Sequence, residues 1–155
     1  MSIRFVALES ALVQSLQQGA PDANGQASER QISPGSGIPC RHCLGHVADG
    51  EPFLVLAHRP FPAPQPYAEV GPIFLHAQPC ERGEPGATVP RMLASPRYII
   101  RGYGADHRIV YGSGQIVATA EIPFAAARAL EDPRIAYIHV RSASNNCYQC
   151  RIDAA

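Results

Sequence analysis

The chain has 155 residues, 46% hydrophobic and 17% charged, enough to bury one core of ordinary size and too apolar for a disordered segment. Thirteen basic residues balance thirteen acidic ones, so the strong positive excess that nucleic-acid or anionic-membrane binding needs is absent. Every basic residue is Arg, which removes Schiff-base chemistry, a P-loop lysine and a lysine general base.

The first apolar run, Ile3 to Leu8, suits a strand, and Leu12, Val13 and Leu16 then recur at helical spacing until Gly19 and Pro21 stop the pattern. Arg4 and Glu9 interrupt this stretch, so it lacks the unbroken core of a secretion signal, and no run reaches membrane-spanning length. The expectation is a soluble, cytoplasmic protein. Residues 19 to 39 are rich in Gly, Ser, Gln, Asn, Asp and Pro and read as a loop or linker. That divides the chain into an N-terminal segment, 1–37, and a compact β-rich domain, 38–155.

Beyond residue 38 the apolar runs are short and rich in β-branched or aromatic residues: 53–57, 73–75, 98–100, 109–111, 116–118 and 135–140. The glycines of Tyr111-Gly-Ser-Gly-Gln115 suit a tight connection between the fourth and fifth of these runs. Pro123 opens a second helical stretch through Leu130, closed by Asp132-Pro133. The alternating prolines at 60, 62, 64 and 66 could serve as a polyproline ligand, but a stiff connector between strands accounts for them more simply. The predicted architecture is therefore a single α+β domain, mainly antiparallel sheet with two short helices and Pro-rich loops.

Four of the five cysteines form two pairs, Cys40-Arg-His-Cys43 and Cys147-Tyr-Gln-Cys150. Two residues between cysteines let a tight turn aim both thiolates at one metal, and two such turns compose the closed Cys₄ tetrahedron of a structural zinc site. Gly45 follows the first pair as in zinc knuckles, while the second pair has no such glycine. About a hundred residues part the pairs, against the 15–20 of a zinc ribbon, so the site would be a tertiary one. Disulfides, unliganded thiols and redox CxxC chemistry compete with it. Cys80 makes a His-x₃-Cys spacing with His76 that can chelate, and His42 lies inside the first turn; both are reserves for the metal, with a buried thiol the simpler reading of Cys80.

Period-two alternation along the last apolar run puts Ala136, Ile138 and Val140 on one face and Tyr137, His139 and Arg141 on the other. With Asn146 in the polar turn that follows, these residues could line a pocket for a small ligand or a protein partner, against the simpler reading of a solvated strand face. Asp106 and His107 are sequence neighbours, which in an extended chain point apart and do not make a dyad. No nucleophile elbow, zincin, dinucleotide or P-loop motif is present.

The runs Gly71-Pro-Ile-Phe-Leu-His76, Arg101-Gly-Tyr-Gly-Ala-Asp106 and the long stretch Asp132 to Ile152 resemble a bacterial family known as domain of unknown function 1203, the similarity spanning about Ile38 to Asp153. The resemblance implies a small single domain and no particular activity. It also implies that Cys40 and Cys147 are shared with relatives while Cys43 and Cys150 are not. A four-sulfur site would then belong to sequences like this one, and Cys40 and Cys147 would lie close together.

Two functional expectations follow. One is a non-enzymatic protein with a structural zinc at Cys40, Cys43, Cys147 and Cys150 and a ligand- or partner-binding face at Tyr137, His139, Arg141 and Asn146. The other is an enzyme, either a thiol redox protein or a metal-assisted hydrolase working at His139 and Arg141. A homodimer is a default expectation that no feature of the chain singles out.

Overall fold

The computed structural model describes residues 1–155 as two antiparallel sheets with two short helices. Strand β1 (Ile3–Val6) leads into helix α1 (Ser10–Gln17), followed by β2 (Glu29–Ile32), β3 (Pro52–His58) and β4 (Gly71–His76). After these come β5 (Arg97–Tyr103), β6 (Gln115–Ala118), a 3₁₀ turn (Thr119–Glu121), helix α2 (Ile122–Ala129), β7 (Tyr137–Ser142) and β8 (Tyr148–Ala154). The large sheet has the order β1-β8-β7-β5-β6 and the small one β2-β3-β4. No helix is long and apolar enough to cross a membrane.

Each sheet buries one core, and the alternation along the strands explains which residues enter it. Ile138 and Val140 of β7, Cys150 and Ile152 of β8 and Ile3 and Phe5 of β1 point to the same side of the large sheet, where α2 covers them with Ile122 and Ala126. The second core joins α1, through Val13 and Leu16, to Phe53, Leu54, Leu56, Ile73 and Leu75 of the small sheet. Phe61, Tyr103 and Tyr137 make a third, aromatic cluster on the opposite face of the large sheet.

Several elements depart from the sequence expectation. The segment 19–39 contains β2, whose four residues are all exposed and so carry no apolar signature; it exists because it pairs with Phe53–Val55 and Pro52 of β3. Residues 109–111 supply only an isolated bridge, Ile109 to Tyr103, and the hairpin is instead β5 to β6 around the loop 104–114. The last strand, β8, was hidden by its Cys-x-x-Cys spacing. The segment 1–37 is not separate from the core: β1 pairs with β8 at the edge of the large sheet, and Val13 of α1 is fully buried. The Pro-rich stretch 59–66 is the connector between β3 and β4. It lays Phe61 against Tyr103 and His139, at ring-centroid distances of 5.2 Å in both cases.

Candidate metal centre and ligand cavity

The first Cys-x-x-Cys lies on a knuckle. Cys40 N–H donates to the Gly45 carbonyl, Leu44 N–H donates to the Cys40 carbonyl, and Pro39 bridges to His46. Leu44 takes the left-handed conformation with φ of 60°, which turns the chain back under the sulfurs. A side chain at Gly45 would place its Cβ 2.9 Å from Arg91 Nη2, so the flexible end of Arg91 would have to shift, and 3.7 Å from Cys43 Sγ, an ordinary contact.

The partners of this knuckle are His76, at the end of β4, and Cys80 in the loop just after it. The ligand atoms of Cys40, Cys43, His76 and Cys80 all lie within 4.8 Å of one another. Cys40 and Cys80 sulfurs are 3.9 Å apart, and Cys43 Sγ is 3.6 Å from His76 Nδ1. A tetrahedron with metal–sulfur bonds of about 2.3 Å and metal–nitrogen bonds of about 2.0–2.1 Å has S···S edges of about 3.8 Å and S···N edges of about 3.6 Å. Those two separations therefore already suit a shared ion. Hydrogen bonds from Cys43 and Cys80 hold the Cys40 thiol far below its ordinary range, and the same bonds push the thiols of Cys43 and Cys80 up. Three crowded sulfurs thus favour a single thiolate, and a cation is what would let all three ionise.

The surroundings of the cluster orient its members. His76 directs Nδ1 at the sulfurs and Nε2 at Glu51, whose Oε2 is 3.7 Å away, an arrangement in which a carboxylate sets the ring of a ligating histidine. The His76 backbone N–H donates to Cys40 Sγ at 3.4 Å. His42 is not a member; its Nδ1 lies 3.1 Å from Cys80 Sγ and its Nε2 2.9 Å from Ser10 Oγ. One tautomer satisfies both contacts, with Nδ1–H donating to sulfur and Nε2 accepting from the hydroxyl. The first residue of α1 is thereby tied to the cluster.

The four-sulfur arrangement expected from the two Cys-x-x-Cys pairs is not formed. Cys147 and Cys150 stand outside the cluster, because Tyr148 to Cys150 are strand and not turn. In extended chain, residues three apart face opposite sides. Cys150 is buried in the core under α2, while Cys147 is half-buried and donates to the Asn145 carbonyl at 3.8 Å. The two pairs are nevertheless neighbours through Arg41. Its Nη1 donates to the Pro39 carbonyl and its Nε to the Tyr148 carbonyl, both at 3.0 Å, so a buried guanidinium joins the segments that a metal was expected to join. No disulfide is present; all five thiols are free.

The alternating face of β7 is buried rather than solvated: Tyr137, His139 and Arg141 are each at most 3% exposed. The Pro-rich connector and the rings of Phe61, Tyr103 and Tyr148 cover it, with His139 centroid distances of 4.7 Å to Tyr103 and 4.9 Å to Tyr148. Two cavities open along this face. One of about 470 Å³ is lined by Tyr137, His139, His58, Phe61, Tyr148 and Arg151 among others, and one of about 220 Å³ by Arg141, Asn146, His58, Glu69 and Tyr148. All four residues named for this face thus line one cavity or the other. Sequence reasoning missed His58, whose place at the end of β3 gave no sign that it would meet β7 and β8, and Glu69, which contacts Arg141 at 3.4 Å and Arg101 at 3.0 Å.

The two imidazoles on this face are neutral. Burial, and then the charges of Arg41 and Arg59, lower His58 to about 4; burial, and then Arg141, Arg151 and Arg101, hold His139 well below the ordinary value of 6.5. In the unfolded chain both protonate near 6.5, so below that pH the unfolded state binds more protons and stability falls. The contribution is intact above pH 7 and is lost as pH drops from about 6.5 toward 4. His58 alone should cost about 2 kcal/mol at pH 5. Urea midpoints of the parent and of His58→Gln at pH 7.5 and pH 5.0 check this: the variant should lose less stability than the parent on acidification. Equal losses would show that His58 is not a buried neutral group.

Fold and cluster together define an antiparallel α+β protein with a Cys₃His group able to hold a metal ion. A family model matches residues 37–154, and the chain belongs to that family, described as a protein of unknown function (DUF1203). The match begins just before the knuckle and includes all four members of the cluster. No curated protein and no solved structure matches the chain.

Proposed function

We propose that this chain is a small binding protein whose small sheet is pinned by a structural zinc ion on Cys40, Cys43, His76 and Cys80, and whose covered Tyr137–His139–Arg141 face receives a ligand. The observation that carries the metal half is the convergence of three sulfurs and one imidazole nitrogen within 4.8 Å. Thiolate and imidazole are the ligands zinc prefers, and four protein ligands leave no open position for a reacting water, which favours a structural over a hydrolytic role. His139 and Arg141 are not among the ligands, so the hydrolase reading loses its metal. A buried arginine beside the site supports the same assignment. Zinc(II) with three thiolates and a neutral imidazole carries one net negative charge, and Arg41, which has no carboxylate partner, would balance it.

Elemental analysis of untagged protein purified without added metal tests this, together with a thiol count under denaturing, chelating conditions. One zinc per chain and five titrable thiols are expected. Cys43→Ser, His76→Ala and Cys80→Ser should each abolish stoichiometric zinc, whereas Cys147→Ser and Cys150→Ala should retain it. Metal lost from the latter pair would restore the four-sulfur site and overturn the present ligand set. Absence of metal with thiols missing from the count would mean oxidation within the cluster, and the redox reading would replace this one.

A further inference from the structure

Three buried polar atoms have no hydrogen-bond partner on the covered face of the large sheet: His58 Nε2, His139 Nδ1 and Arg141 Nε. They come from different strands, β3 and β7: His58 belongs to the walls of both cavities, as do Pro60 and Tyr148, whereas His139 lines the larger and Arg141 the smaller. Leaving one such group unpaired costs about 1–3 kcal/mol, more for a charged one, and three beside two cavities that share a wall point to a polar occupant. Arg141 is held in place by the Asn146 carbonyl at 2.8 Å and by Glu69, which use Nη1 and leave Nε free.

The charges lining the two cavities are equal in number, Arg59, Arg141 and Arg151 against Glu9, Glu69 and Asp153, but Arg59 has no carboxylate partner. The ions acting most strongly on the two imidazoles are Arg41 and Arg59 for His58, and Arg141, Arg151 and Arg101 for His139. The carboxylates facing them are Glu69, shared by Arg141 and Arg101, and Asp153, paired with Arg151. Glu9 also lines the larger cavity but is engaged by Arg82. Val6, Ala7, Leu8, Leu12, Phe61 and Pro62 give part of the larger cavity an apolar wall.

We infer that the cavities bind a small organic carboxylate, its oxyanion at the junction among His58, His139 and Arg141 and its apolar body in the larger cavity. An oxyanion accepts from Arg141 Nε–H and from whichever imidazole nitrogen carries hydrogen, so the orphaned groups gain partners together. It also supplies negative charge near Arg59, which lines the larger cavity without a carboxylate partner. The apolar wall and the about 470 Å³ of the larger cavity suit a ring or short chain, of the size of benzoate or hexanoate, better than a bare inorganic ion. This inference rests on the reading above that the β7 face receives a ligand, and gives that ligand its chemistry.

The test is calorimetric titration and thermal shift of the full-length, metal-loaded protein with benzoate and hexanoate, with benzamide and hexanamide as uncharged counterparts, and with inorganic phosphate. At least one carboxylate should bind at least tenfold more tightly than its amide and raise the melting midpoint. Arg141→Gln and His139→Phe should each weaken that carboxylate at least tenfold; near-UV circular dichroism and zinc content show that the variants fold. His58→Gln, which keeps a donor, should weaken it less. Amides that bind as well as the acids would overturn the anion inference and leave the ligand face standing, while phosphate binding in place of the carboxylates would overturn the apolar body. Failure of every probe, or unchanged binding in folded Arg141→Gln, would overturn the carboxylate site itself.

Discussion

Stripping the metal with a strong chelator at neutral pH should lower the melting midpoint by more than 10 °C, and His76→Ala and Cys80→Ser should each lower it by a similar amount without chelator. The reason is the number of separate pieces the cluster holds. It joins the knuckle at Cys40–Cys43, the end of β4 at His76 and the following loop at Cys80, and through His42 and Ser10 it reaches the first turn of α1. Those pieces enclose the smaller core, in which Val13 and Leu16 of α1 meet Val47, Phe53 and Leu75. Zinc bound to a small domain contributes an apparent folding energy of about 10–16 kcal/mol in peptides that are unfolded without it. Part of that is retained here by the β-pairing of a larger chain, and a loss above about 5 kcal/mol, at about 2–4 °C per kcal/mol, already gives the stated shift.

The loss should be local. Hydrogen exchange should accelerate in β2, β3, β4 and α1, while β5 and β7, whose core lies under α2, keep most of their protection. Cys147→Ser should melt with the parent. A chelated protein with an unchanged midpoint, or a uniform loss of protection in both sheets, would show that the cluster does not pin the small sheet.

The parts of this fold legible in the sequence were those whose signal is local. Ile138 and Val140 alternate with Tyr137, His139 and Arg141, and the structure keeps those faces apart as alternation requires. Leu12, Val13 and Leu16 mark a helix, and Pro123 opens one. Strand β2 was illegible because Glu29 to Ile32 are all exposed and owe their conformation to β3. The Cys₃His cluster was half legible. The knuckle and the His-x₃-Cys spacing both stand in the chain, but matching one Cys-x-x-Cys with the other passed over His76 and Cys80, which are the side chains clustered with the knuckle. What decides the matter is the β3–β4 register, which sets His76 opposite Phe53 and delivers it to the knuckle, and no local pattern encodes that register. The burial of His139 escaped notice for the same reason: its cover is Phe61 on a connector far away in sequence.

The second large effect is expected at Arg41, where Arg41→Met should destabilise the protein by about 3–5 kcal/mol and speed zinc release to a competing chelator at least tenfold. Arg41 is 3% exposed, and burial lowers its guanidinium to about 10, still charged at neutral pH. It donates to the carbonyls of Pro39 and Tyr148 and lies 5.7 Å from the centre of the Phe74 ring. Methionine fills most of the space but leaves two carbonyls without partners, at about 1–3 kcal/mol each, and removes the charge opposite the anionic metal site. The two contributions separate in Arg41→Lys. An ammonium restores the positive charge but cannot present the planar fork that reaches both carbonyls at once. Lysine should therefore recover most of the slow zinc release while recovering little of the melting midpoint. If Arg41→Met releases zinc at the parental rate, charge compensation is not what Arg41 supplies. If it also melts with the parent, the guanidinium is not the link between the knuckle and β8.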